Sequence, residues 1–144
     1  MLNTEFIYQK IALIRQDLEF LDKMTNLSFE EVAKDFYKYN TVQMLLMKII
    51  GRAIDINEHL IDELANAETK SPGTYRETFL QLADLKILPA DFASEIAKSA
   101  GFRNAIVHEY DKLDDFIIYK TIGEAVVQYT KYCHYVLDLI SRKS

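Results

Sequence analysis

The segment Arg103-Asn104-Ala105-Ile106-Val107-His108-Glu109-Tyr110 holds the residues whose types and spacing could do chemistry. It combines a permanent cation, an amide, a titratable imidazole and a phenol. On a helix, Asn104 and His108 are four residues apart and lie on one face. A guanidinium can hold a phosphate through parallel hydrogen bonds, and an imidazole can move a proton near neutral pH. The segment therefore predicts phosphodiester chemistry, with Arg103 and His108 as catalytic residues and Asn104 in a supporting role.

A plainer interpretation of the same pattern stays open. Arg-x4-His recurs by chance, and a cation in the last turn of a surface helix can simply interact with the terminal carbonyl groups. What favours a site is the clustering of Arg103, Asn104, His108 and Tyr110 at a predicted helix end, where the chain turns toward Asp114.

The composition indicates one soluble globular domain over residues 1–144. Apolar residues make up 49% and charged residues 27% of the chain, with only four Gly and two Pro for turns. A lone cysteine excludes an internal disulfide and fits a reducing compartment. The first residues lack the basic and apolar regions of a signal peptide, and no apolar run is long enough to span a bilayer. We expect a cytoplasmic protein without membrane association.

The net charge of −5 comes from 17 basic and 22 acidic residues. A protein that coats nucleic acid is normally basic, so the charge counts against general nucleic-acid binding. It leaves open a local positive cleft, or a cleft completed by a second subunit, that binds one folded RNA.

Apolar residues at three- and four-residue spacings predict an all-α bundle. Ser28 and Glu31 form a predicted capping box, and Ser71-Pro72-Gly73 is a strong helix breaker. Gly101, inside a predicted helix, suggests close backbone packing. The predicted helices are Thr4–Met24, a short piece over Phe29–Asp35, a long helix with its apolar stripe from Val42 to Leu64, Tyr75–Leu88, Asp91–Val107, and a last long helix that begins at Asp114-Asp115.

Neither a metal site nor a cofactor site is predicted. Di-iron bundles use Glu-x-x-His pairs, and no Glu here has a His three residues later. Cys133 lies on the apolar stripe of the last helix, which favours a buried structural thiol over a metal ligand.

A polar stripe on the long helix has two interpretations. Arg52, Asp55, His59 and Asp62 follow helical spacing, as an ion-paired or solvated helix face would. Alternatively, the stripe lies near the site. Asp55 is then the supporting residue, because it lies beside the apolar stripe at mid-helix and could brace a cation in the cleft.

Several segments resemble one family. Ala100–Tyr110 followed by Leu113-Asp114 resembles the Arg-x4-6-His motif of the HEPN superfamily, and Arg-x4-His-x-Tyr is similar to the motif of the HepT toxin family. The segments 51–61, 74–79 and 85–89 resemble that family's central helix and the helix and turn that follow it.

The resemblance implies a HEPN-type bundle of four to six helices that forms a homodimer with both motifs facing one cleft. It implies a metal-independent endoribonuclease whose substrate is RNA, with tRNA as one candidate. It further implies a HepT/MntA-type toxin–antitoxin pair, in which an MNT-type nucleotidyltransferase antitoxin silences the toxin by transferring AMP to the motif tyrosine, here Tyr110.

The chemistry of the residues agrees with this expectation. RNA is cut without metal when its 2′-hydroxyl attacks the adjacent phosphate, which requires a base, an acid and positive charge. One His108 per chain fills one proton-transfer role, so a dimer would fill both. AMP on Tyr110 would add bulk and negative charge two residues from His108 and repel RNA phosphates.

Two other hypotheses remain at this stage. One is a non-catalytic HEPN adaptor that binds a nucleotide or a nucleotidyltransferase, which the acidic balance slightly favours and the intact Arg103/His108 pair disfavours. The other is a helical scaffold without a site.

Overall fold

The computed structural model describes residues 1–143 and consists, over that range, of six α-helices without a strand. The helices are α1 (Thr4–Lys23), α2 (Phe29–Ala33), α3 (Phe36–Leu64), α4 (Tyr75–Asp84), α5 (Ala90–His108) and α6 (Asp115–Lys143). Short 3₁₀ turns at Met24–Asn26 and Tyr110–Lys112 follow α1 and α5. The predicted all-α bundle is confirmed.

The long helix α3 is the centre of the bundle. It packs against α1, α2, α4, α5 and α6, while α4 and α5 pack against each other. From Val42 to Leu60 the predicted apolar stripe of α3 is buried, and Leu64 at its end is partly buried. The stripes of α1 and α6 meet it in one continuous core, because each helix presents a single apolar face.

Capping residues lie at the start of several helices, as the sequence predicts. Ser28 and Glu31 form the predicted capping box at α2, and the Asp35 carboxylate accepts a hydrogen bond from the Lys38 amide at the start of α3. At α6, Asp114 Oδ1 accepts from the amides of Phe116 (2.9 Å) and Ile117 (3.3 Å). The negative charge predicted there lies at the positive end of the helix dipole.

Two local predictions are wrong. Helix α4 ends at Asp84 rather than Leu88, because Lys86 adopts a left-handed conformation with φ 63°. The Lys86 amide donates to Ala83 O and the Ile87 amide to Leu82 O, which is the Schellman pattern of a helix end. At Gly101, an added Cβ would meet nothing within 4 Å, so no neighbour packs closely there.

No helix within residues 1–143 combines the length and apolar character that crossing a bilayer requires.

Candidate active site

The last turns of α5 carry the motif and end at His108. Arg103 is partly buried, whereas Asn104 and His108 are exposed. Ile106, in the same turn, is buried and anchors this end of α5 to the core. The Glu109 amide donates to Ala105 O at 2.8 Å, which closes the helix directly after His108.

Asn104 and His108 line one cleft of about 550 Å³. Its walls come from α3, from the segment between α3 and α4, from the start of α4 and from the end of α5. The lining residues are Glu58, Pro72, Gly73, Thr74, Tyr75, Thr78, Asn104 and His108. Asn104 and His108, predicted to share one helix face, therefore share one cleft that is open to solvent.

Arg103 does not itself line this cleft, but it contacts two residues that do. Its Cζ lies 5.5 Å from the ring centroid of Tyr75, and its Nη1 is 3.4 Å from Asn104 Oδ1. Within residues 1–143, Arg103 forms no ion pair with a carboxylate, and its buried Nε has no hydrogen-bond partner. The Arg103 guanidinium therefore has no carboxylate counterion among the described residues.

Tyr110 follows the motif in the 3₁₀ turn and is 65% exposed. The chain after this turn is held on the bundle, because the Tyr39 hydroxyl donates to Asp115 Oδ1 at 2.7 Å. Partial burial and this hydrogen bond raise the pKa of Tyr39 well above its usual value, so its hydroxyl keeps its proton. Tyr110 therefore lies on a short exposed turn between two fixed helix ends.

The structure places Asp55 away from the lining of the cleft. Its Oδ2 accepts a hydrogen bond from Lys10 Nζ of α1 at 2.8 Å. Other members of the polar stripe also face α1: Arg52 forms an ion pair with Asp17, and His59 Nε2 accepts from the Asn3 amide at 3.0 Å. The cation that Asp55 braces in this structure is Lys10, and the carboxylate of α3 at the cleft is Glu58.

Sequence reasoning missed Glu58, Tyr75 and Thr78 as members of the site. The breaker Ser71-Pro72-Gly73 was available as a signal, but its spacing indicates only a helix end. Tyr75 and Arg103 are 28 positions apart in the sequence. Local periodicity does not reveal a contact between residues so far apart.

Two other kinds of candidate group were considered in the sequence, a metal-binding cluster and the single cysteine. Within residues 1–143, no group of three or more His, Cys, Asp and Glu side chains is arranged to hold a metal ion. Cys133 is fully buried, and burial raises the pKa of its thiol to about 11. A thiol so protonated is a poor nucleophile, in agreement with the predicted structural thiol.

Comparison with known proteins adds a family to this geometry. The family model described as Ribonuclease HepT-like matches residues 14–136, which include the central helix and the whole motif. This chain belongs to the HepT-like family. A HepT-like relative, the tRNA nuclease HepT of Aphanizomenon flos-aquae (strain 2012/KM1/D3), is 34% identical over 126 residues, covering 88% of this chain and 84% of that protein.

Solved structures share the HepT-like fold. The tri-AMPylated Shewanella oneidensis HEPN toxin in complex with MNT antitoxin superposes with a TM-score of 0.81 at 20% identity, covering 96% of this chain and 99% of the other. YutE of Bacillus subtilis, a cytosolic protein of unknown function, gives a TM-score of 0.84 at 15% identity, covering 99% and 93%. The HEPN-type bundle expected from the resemblance is confirmed.

Proposed function

We propose that this HepT-like chain is the toxin of a toxin–antitoxin pair and a metal-independent endoribonuclease that acts on RNA, with tRNA as the first candidate substrate. The observation that carries the proposal is Arg103, a partly buried guanidinium without a carboxylate partner in residues 1–143, beside a cleft that Asn104 and His108 line. The relative named as a tRNA nuclease supports the choice of RNA.

The proposed reaction uses the RNA's own 2′-hydroxyl as nucleophile. A base removes the 2′ proton, the 2′-oxygen bonds to phosphorus, and the bond from phosphorus to the 5′-oxygen breaks. An acid then protonates the departing 5′-oxygen, and the products are a 2′,3′-cyclic phosphate and a 5′-hydroxyl. Arg103 holds the phosphate and neutralises the charge that develops on its oxygens, while His108 transfers a proton. Asn104 orients the substrate or His108.

A homodimer completes this mechanism. The reaction needs a base and an acid in the same turnover, and each chain supplies one His108. Two chains that face each other across one cleft would bring two imidazoles and two guanidiniums to one phosphodiester. This arrangement also gives a chain of net charge −5 a locally positive surface. RNA as substrate implies action in the cytoplasm.

The proposed control point is Tyr110. Its 65% exposure on the turn after α5 makes the hydroxyl accessible to a nucleotidyltransferase, and AMP attached there would place negative charge two residues from His108. The solved complex of a tri-AMPylated HEPN toxin with MNT antitoxin supports such a partner. A small nucleotidyltransferase gene beside this one would agree with the pairing.

The cleavage test uses purified protein, total tRNA and excess EDTA. Wild type should cleave, and His108→Ala and Arg103→Ala should each lose about 10²-fold or more of the activity. Matched controls are His134→Ala on α6 and Arg15→Ala on α1, which replace exposed side chains outside the cleft and should keep it. An inactive wild type, or cleavage that either motif variant leaves undiminished, contradicts the proposal.

The modification test measures intact mass after incubation with the partner nucleotidyltransferase, ATP and Mg²⁺. Wild type should gain mass in increments of AMP and lose its nuclease activity. Tyr110→Phe should gain none, whereas Tyr37→Phe, which alters another highly exposed tyrosine, should behave as wild type does. The same mass gain in Tyr110→Phe would refute the assignment.

A non-catalytic HEPN adaptor is the second candidate, and the acidic balance of the chain favours it. It predicts a stable complex with the nucleotidyltransferase or a nucleotide, and no cleavage of tRNA by the free protein. The cleavage test separates the two functions.

A further inference from the structure

Tyr75 is an aromatic residue outside the motif that contacts the motif arginine. It is the first residue of α4, lines the cleft, and presents its ring to the Arg103 guanidinium at 5.5 Å. Guanidiniums bind aromatic faces through attraction to the ring electrons, and a guanidinium held by its face can still donate in-plane hydrogen bonds to a phosphate. The ring and the Asn104 amide are the described contacts that orient Arg103.

The start of α4 is fixed by hydrogen bonds on the protein surface. The Thr74 hydroxyl caps the helix by accepting from the Glu77 amide, and Glu77 Oε2 accepts from the Gly73 amide at 2.7 Å. These two bonds set the direction in which the chain enters α4. The backbone at Tyr75 is therefore held in place by its neighbours, and the side chain starts from a defined position.

A chain of hydrogen bonds from the core also holds the first turn of α4. The Tyr132 hydroxyl of α6 donates to Asn57 Oδ1 of α3 at 2.5 Å, and Asn57 Nδ2 donates to Thr78 Oγ1 at 3.1 Å. The Thr78 hydroxyl in turn donates to the carbonyl oxygen of Tyr75 at 2.6 Å. Asn57 and Tyr132 are fully buried and Thr78 is 2% exposed, so water does not compete with the two bonds that join these three side chains.

From these contacts we infer that Tyr75 is a positioning residue for Arg103, and the inference rests on the proposed ribonuclease function. The ring keeps the guanidinium at the rim of the cleft, so that a phosphate meets a cation already in place. Tyr75 itself is 41% exposed and adds little to the core, which separates its effect on Arg103 from an effect on folding.

The kinetic test compares Tyr75→Leu, Tyr75→Phe and Tyr8→Leu in single-turnover cleavage of tRNA. Loss of the ring should lower the rate about tenfold to a hundredfold, as small misplacements of a catalytic group do, and Tyr75→Phe should recover most of that loss. Tyr8, 50% exposed on α1, is the matched control and should have no effect. A rate for Tyr75→Phe as low as for Tyr75→Leu overturns the inference, because the hydroxyl and not the ring would then matter.

The second test does not depend on cleavage. In the His108→Ala background, binding of a single-stranded RNA is measured by fluorescence anisotropy over a range of KCl concentrations. Each lost phosphate contact reduces the slope of log K against log [salt] by about 0.7. Tyr75→Leu should reduce the slope as Arg103→Ala does and should add nothing in an Arg103→Ala protein, while Tyr75→Phe should keep the parental slope.

The outcomes separate the inference from the function it rests on. An unchanged slope with weaker binding in Tyr75→Leu means that the ring stacks on a base, which overturns the inference and leaves the ribonuclease intact. An inactive wild type removes the proposed function, whereas the slope still tests the contact of Tyr75 with Arg103. Circular dichroism and urea unfolding of each variant confirm that the folded protein is compared.

Discussion

Replacing Tyr132 with Phe removes one oxygen atom from the centre of the bundle, and its effect follows from the contacts described above. The hydroxyl donates to Asn57 Oδ1 at 2.5 Å and lies 3.1 Å from Ala53 O, and both Tyr132 and Asn57 are fully buried. Burial raises the pKa of Tyr132 well above its usual value, so the neutral phenol is the donor at any working pH. In the variant, Asn57 Oδ1 loses this donor where water does not reach it.

The expected cost is that of an unsatisfied buried acceptor. Such a group destabilises the folded state by about 1–3 kcal/mol, while the ring keeps its apolar contacts and the vacated volume is smaller than a methyl group. We therefore expect the free energy of unfolding to fall by about 1–3 kcal/mol. For a domain of this size the melting temperature should fall by about 3 °C per kcal/mol.

Urea unfolding followed by circular dichroism measures this difference. Tyr37→Phe, which removes a hydroxyl from a 79% exposed ring, is the control and should change stability by less than about 0.5 kcal/mol. In a double-mutant cycle, Thr78→Val should cost less in the Tyr132→Phe protein than alone, because the two residues share Asn57. A cost for Tyr132→Phe as small as that of the control would refute the assigned hydrogen-bond chain.

Three further predictions concern other parts of the molecule. Glu58→Gln removes a negative charge from the cleft wall and should strengthen RNA binding about two- to fivefold at low salt, measured by anisotropy; a hundredfold loss of cleavage would instead identify Glu58 as the general base. Gly123→Ala should stabilise α6 by about 0.5–1 kcal/mol in urea unfolding, because the site is exposed and an added Cβ meets nothing within 4 Å; destabilisation would reveal a contact made by a second chain. Cys133, with a pKa of about 11, should react with a disulfide reagent at pH 8 only as fast as the protein unfolds, and rapid reaction of the folded protein would contradict its burial.

The sequence predicted the helices well because each buries one face in the same core. The spacing of apolar residues in α1, α3 and α6 encodes that face directly. The prediction from apolar spacing failed at the end of α4, where Ile87 and Leu88 are buried although they lie beyond the helix. Apolar spacing therefore continues past the real end, and Lys86 takes the left-handed position where glycine is the usual signal.

The site was predictable where its residues are neighbours on one helix. Asn104 and His108 share the cleft because they are four positions apart on α5. The choice between Asp55 and Glu58 was not predictable in this way, because both lie on polar flanks of α3. Only the packing of the bundle determines that the Asp55 side meets α1 and that Glu58 reaches the cleft.

The chemical ends of the RNA fragments test the central claim most directly. Wild-type protein in EDTA should produce fragments that carry a 2′,3′-cyclic phosphate and a 5′-hydroxyl, identified by mass spectrometry. His108→Ala and Arg103→Ala should each produce these ends about 10²-fold more slowly or less. Fragments with 3′-hydroxyl and 5′-phosphate ends, or cleavage that appears only when a divalent metal is supplied, would contradict transfer of the phosphate to the 2′-oxygen by this arginine and histidine.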